Sequence, residues 1–137
     1  MEREIVRDTF FLSQKAEPAT RDDGQVIEDL KDTLRAHRDA CVGMAANMIG
    51  EKKSIIIVSM GRGIDLVMCN PVITKKVAPY DTTEGCLSLD GERETTRYRS
   101  VEVEFEDENF HKKKQRFSGF AAQIVQHECD HLEGILI

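Results

Sequence analysis

The feature that most constrains the fold lies close to the end of the chain. His127-Glu128-Cys129-Asp130-His131 places two histidines four residues apart. In a helix they share one face, about 6 Å apart along the axis, so both imidazoles can reach one ion. Glu128, beside the first histidine, can reach a water activated by that ion without binding the ion itself. The surrounding pattern supplies the helix: Ser118 can cap it, and it runs from Gly119 to about Leu132. Two satisfied histidines on a surface helix are the bland alternative, and the helical context favours the metal reading. A catalytic site of this kind takes three protein ligands and leaves one position for water. Only six residues follow His131, and Ile137 stands where the longer HExxHxxGxxH pattern has its third histidine. Glu133 points to a different side of the helix. The third ligand therefore comes from upstream, and the fold must bring a distant segment onto the last helix.

The upstream candidates are Cys41, Cys69, Cys86, His37, His111 and several carboxylates. Cys86 stands out for its setting, Glu84-Gly85-Cys86-Leu87-Ser88. Gly85 lets the backbone approach a neighbour closely, and a thiolate is a strong ligand for a soft or borderline ion. Cys69 lies in a strand pattern and reads as core. Cys129 is two positions from His127 and faces away from the ion. Cys41, in a small apolar segment, reads as structural.

The 137 residues suit a single domain spanning 1–137. Apolar residues make up 40% and charged residues 32%, the balance of a globular chain. The charged start, Met1 to Asp8, lacks the apolar region of a signal peptide, and no apolar run reaches transmembrane length. The expected compartment is the cytoplasm, with no membrane partner, and the four cysteines are expected as thiols or ligands rather than disulfides. The net charge of −6 argues against direct nucleic-acid binding. The one basic run, His111 to Arg116, reads as a solvated strand or turn.

A helix is expected from about Gln25 to His37, opened by Asp23-Gly24, with Val26, Ile27, Leu30 and Leu34 as its apolar stripe. Cys41 to Ile49 reads as extended. Ser54–Ser59 and Ile64–Cys69 read as a hairpin around the turn Met60-Gly-Arg-Gly63, with Asn70-Pro71 ending the second strand. Val101, Val103 and Phe105 alternate with glutamates as in a half-exposed strand. Asp107 to Asn109 then turns the chain into a returning strand that ends near Phe117. One helix, then mostly strands, then one helix implies an α+β fold with antiparallel sheets packed around the C-terminal HExxH helix.

Three segments together resemble the peptide deformylase family: Cys41-Val-Gly-Met-Ala-Ala-Asn-Met48, Glu84-Gly-Cys-Leu-Ser88 and Gln126-His-Glu-Cys-Asp-His-Leu-Glu-Gly134. The resemblance covers nearly the whole chain. It implies a hydrolase that removes the formyl group from the N-terminal formyl-methionine of new polypeptides, acting on formylated nascent N-termini at or near the ribosome. Cys86, His127 and His131 match the family's metal ligands, and Glu128 its acid/base. The Leu87 N–H matches an oxyanion donor. The ion is expected to be iron(II) in the cell, and zinc, nickel or cobalt also suit these ligands.

The first segment departs from the family pattern. Met48 stands where the family has a glutamine that donates to the oxyanion, and a thioether cannot donate. Asn47 replaces the usual proline, and Cys41 replaces the first glycine. In an extended segment Asn47 and Met48 point to opposite faces. The alternative reading is therefore a deformylase-like paralogue that binds metal and peptide with weak or altered amide-hydrolase activity. Gly43, Met44, Met48 and Gly85 are substrate-binding candidates. Phe120, Gln123 and Ile124, one and two helical turns before His127, are others on the face that lines the family's methionine pocket. Arg97 is expected to make a structural pair.

Overall fold

The computed structural model describes residues 1–137. Three α-helices are present: α1 (Thr9–Leu12), α2 (Gly24–Ala36) and α3 (Gly119–Leu132). Five strands, β1 (Gly43–Ala45), β2 (Ile55–Ser59), β3 (Asp65–Cys86), β4 (Leu89–Glu106) and β5 (Lys112–Ser118), form one antiparallel sheet in chain order. The α+β class and the packing of α3 on the sheet are as the residue pattern implies. The expected sheets are one continuous sheet.

The two longer helices follow from their stripes. Val26, Ile27, Leu30 and Leu34 are buried on α2, and Ala122, Ile124, Val125 and Leu132 on α3, within one core that includes Ile55 to Val58 of β2. β2 is buried along four consecutive residues because α2 and α3 lie against it. On β4, Val101, Val103 and Phe105 face the core while Glu102, Glu104 and Glu106 do not. Ser118 precedes α3 as expected, but its hydroxyl makes no cap; it donates to Ser100 Oγ at 3.5 Å.

Two local readings are corrected. Cys41 to Ile49 is not extended throughout: after β1, residues Ala46–Ile49 form a 3-10 turn closed by Gly50 at φ +88°. Asn70-Pro71 does not end a strand. β3 passes through both residues at a shift in its pairing with β4, between Cys69 and Val72. Proline is tolerated at such an irregularity because no ladder N–H is required of it. Asn70, in the left-handed region at φ +51°, anchors the bend. Its amide nitrogen donates to Ala19 O and Glu106 Oε1, and its oxygen accepts from Ala19 N. As a result β3 and β4 form a long hairpin. Its far end, where Cys86 pairs with Leu89 across a two-residue turn, reaches back to α3.

Candidate metal centre and active site

The hairpin end carries Cys86, and α3 carries both histidines. The side-chain donors of Cys86, His127 and His131 all lie within 4.8 Å of one another. The two imidazoles face each other through Nε2 at 3.0 Å, and Cys86 Sγ is 3.4 Å from His131 Nε2. Ligand atoms about 2.0–2.3 Å from a tetrahedral ion stand about 3.3–3.6 Å apart, so these separations fit one ion with little movement. Burial and the neighbouring His127 push the pKa of His131 down. The residues present therefore fit a divalent ion held by one sulfur and two nitrogens.

Glu84 orients this set. Its Oε1 accepts from His127 Nδ1 and from Arg97 Nη2, both at 2.7 Å. Its Oε2 accepts from Arg97 Nε and from Gln123 Nε2, both at 2.9 Å. Burial opposes the charge on Glu84, but the hydrogen bonds from His127, Arg97 and Gln123 outweigh it and hold the carboxyl at about 2. An ionised Glu84 keeps the proton of His127 on Nδ1 and leaves Nε2 free to bind an ion. Arg97 makes the structural pair anticipated for it and extends the network to Asp130 at 2.6 Å. The polar character of Gln123, unexpected for a pocket wall, is explained by its bond to Glu84.

Glu128 is buried, and its Oε1 has no hydrogen-bond partner. Burial raises its pKa to about 7. A carboxylate of that strength next to a metal-ligand set can take and return a proton near neutral pH. Its position depends on Gly43. A Cβ there would lie 2.5 Å from Ile124 Cγ2 and 3.1 Å from Glu128 Oε2, so only glycine lets β1 pack this closely on α3.

A cavity of about 630 Å³ opens over these groups. Gly43, Met48, Gly85, Leu87, Phe120, Gln123 and Ile124 line it, together with Cys86, His127 and Glu128. His131 lies beneath, fully buried. Met44 does not line the cavity. It pairs with Ile57 in the sheet and is buried in the core. The Leu87 N–H, at the tip of the β3–β4 turn, is used by no hydrogen bond within the chain. Asn47 points away from the cavity, its amide donating to His131 O at 3.0 Å, whereas Met48 lines the wall with its sulfur 3.5 Å from Ala45 N.

Other lining residues lay outside the candidates drawn from the sequence, Cys41 and Arg7 among them. Cys41 is not merely structural: it lines the cavity, its thiol donates to Gly43 O at 2.8 Å, and burial pushes its pKa up to about 12. Its place at the start of the first signature segment was the available signal. Arg7 reaches the rim from the N-terminal segment and donates to Leu87 O at 2.9 Å and to Asp90. No local pattern links residues 80 positions apart. Cys69 is core, and Cys129 packs against it.

The polypeptide deformylase family model matches residues 3–137. The chain is 58% identical over 137 residues to a peptide deformylase of Clostridium beijerinckii, covering 100% of both. It is 37% identical over 113 residues to one from Pelotomaculum thermopropionicum, covering 82% of this chain and 71% of that relative. The crystal structure of a peptide deformylase from Legionella pneumophila superposes with a TM-score of 0.90 at 29% identity, covering 99% of this chain and 83% of that one. The enzyme from Thermus thermophilus gives 0.88 at 31% identity, covering 99% and 83%. With the family model spanning almost its full length and the likeness extending to sequence and fold alike, this chain belongs to the polypeptide deformylase family.

Proposed function

We propose that this chain is a metal-dependent amide hydrolase that removes the formyl group from the N-terminal formyl-methionine of newly made polypeptides. The observation that carries this is the convergence of Cys86, His127 and His131 beside an unpartnered buried Glu128, at the base of an open cavity. The 58% identity to a curated peptide deformylase along the whole chain favours it over a paralogue of weak or altered activity.

In this reading residues 1–137 act as one domain. Cys86, His127 and His131 hold one divalent ion, iron(II) in the cell, with zinc, nickel or cobalt as substitutes in vitro. When bound, the ion polarises the formyl carbonyl and lowers the pKa of a water in the site. Glu128 accepts a proton as that water adds to the formyl carbon. It then returns the proton to the amine nitrogen as the C–N bond breaks, releasing formate and a free N-terminus. The Leu87 N–H donates to the developing oxyanion. Gly43 and Gly85 leave room for the substrate backbone, and Phe120, Ile124 and Met48 form the apolar wall for the methionine side chain. The substrates are formylated nascent N-termini met in the cytoplasm, at or near the ribosome. No helix of the chain is long and apolar enough to cross a membrane.

The test is formate release from a formyl-Met peptide by iron(II) or nickel protein prepared without oxygen. Release well above the metal-free protein is expected. Loaded protein that releases no more than the metal-free control refutes the assignment.

A further inference from the structure

We infer that Asn47 is a positioning residue for His131. Its amide nitrogen holds the histidine's backbone, and its amide oxygen accepts the proton of the imidazole Nδ1. This rests on the metal site proposed above.

Asn47 is 1% exposed, and its Nδ2 donates to His131 O at 3.0 Å. The same carbonyl accepts from Gly134 N at 3.0 Å, so both of its lone pairs are used. A carbonyl can only accept, which places the nitrogen of the amide toward it and directs the oxygen elsewhere. That oxygen, Asn47 Oδ1, is buried with no donor, and His131 Nδ1 is buried with no partner. The two orphaned atoms belong to residues already joined by a hydrogen bond, from the Asn47 side chain to the His131 backbone.

The pairing matters because of what an ion does to an imidazole. A histidine that gives Nε2 to a metal carries its proton on Nδ1, which then needs an acceptor to fix the ring. His127 has Glu84 for this purpose at 2.7 Å. His131 has no carboxylate in that role. The buried side-chain oxygens without a donor are Asn47 Oδ1, Ser88 Oγ and Glu128 Oε1. Glu128 is assigned to proton transfer. Asn47 alone of the three is already hydrogen-bonded to His131. Reorientation of the amide, or one bridging water, would join the two atoms. The proline usual in this family at the position has no side-chain amide, so this device belongs to chains that carry asparagine here.

The experiment measures zinc(II) and cobalt(II) affinity of the full chain by competition with a chromophoric chelator. It adds the Nδ1–H signal of His131 in ¹⁵N-histidine spectra of the zinc protein. His131→Ala sets the reference: wild-type protein that binds no better than this variant refutes the metal site itself. With the site intact, Asn47→Ala weakens affinity by about 10–100-fold and exposes the Nδ1 proton to exchange. Asn47→Asp keeps an oxygen but not the donor, and restores most of the affinity. Ser88→Ala leaves affinity at the wild-type level. The inference is overturned by wild-type affinity in Asn47→Ala, by Asn47→Asp as weak as Asn47→Ala, or by the loss appearing in Ser88→Ala instead. Should Asn47→Ala fail to fold, Asn47→Leu, of similar size and without polar side-chain atoms, takes its place, and wild-type affinity in that variant overturns the inference.

Discussion

Glu84 Oε1 and His127 Nδ1 meet at 2.7 Å, joining the end of the long hairpin to the helix that carries both histidines. The contact sets the tautomer of a candidate metal ligand, and the same carboxylate helps neutralise Arg97, whose side chain is 4% exposed. Glu84→Gln removes the charge while keeping the shape. Metal affinity should fall by about 10–100-fold, as for other partners of ligating histidines. Stability should fall too, toward the lower end of the about 3–5 kcal/mol seen when a buried ion pair loses one member, since Asp130 still holds Arg97. Chelator competition and denaturant titration of the metal-free protein separate the two effects. Unchanged metal affinity would remove Glu84 from the support of the site.

Glu128→Gln keeps size but cannot take a proton. Metal content should stay at the wild-type level while formate release drops by about 10²-fold or more. The wild-type rate should rise with pH as Glu128, held near 7 by burial, becomes ionised. That dependence should vanish in the variant. Steady-state rates with metal analysis on the same samples test this, and wild-type turnover in Glu128→Gln means another group is the base.

Met48 lines the cavity wall and offers only a thioether to it. Glutamine is similarly long and unbranched at Cβ, so Met48→Gln fits without added volume. The new donor acts on charge that appears mainly in the transition state, so kcat should rise more than KM changes. The gain is bounded by the about 2.7–4 kcal/mol attributed to one oxyanion donor. Ala45 N also loses the sulfur contact, which keeps the gain below that bound. A fall in kcat in correctly folded Met48→Gln would show that Met48 serves the site as it stands.

At the β4–β5 turn, Asp107 Oδ1 accepts from Asn109 N and His111 N, both at 2.9 Å. The His111 bond leads in lowering its pKa. With the folded pKa below the unfolded one, the unfolded state binds the proton first as pH falls. The stabilisation is therefore complete above the ordinary aspartate value of about 3.9 and fades below it. Asp107→Ala should lower Tm at pH 7, and the gap from wild type should narrow as the pH drops through the carboxylate range. A gap that stays constant with pH would mean that the charge of Asp107 does not matter.

The residues around 101–105, the stripe of α2 and the whole of α3 were legible because each repeats its apolar positions at the period of its own backbone. The HExxH pair needed nothing beyond that helix. Cys86 stood out as the third candidate ligand from the company of Gly85 and Glu84, since α3 lacked a third of its own, and its sulfur lies within 4.8 Å of both histidine donors.

Other features depend on contacts between segments far apart in the chain. β3 runs through Asn70-Pro71 because Asn70 finds partners on Ala19 and Glu106, and a shifted ladder asks no N–H of Pro71. Met44 and Met48 read alike in sequence, yet one lies in the core and the other in the cavity wall, because the strand gives way to a 3-10 turn between them. Arg7 reaches Leu87, and Asn47 reaches His131, across 80 and 84 positions. The sequence by itself determined which groups could bind an ion and where the two longer helices run. Tertiary structure decided which side chains share the site, because hydrogen bonds between distant segments leave no period in the chain to read.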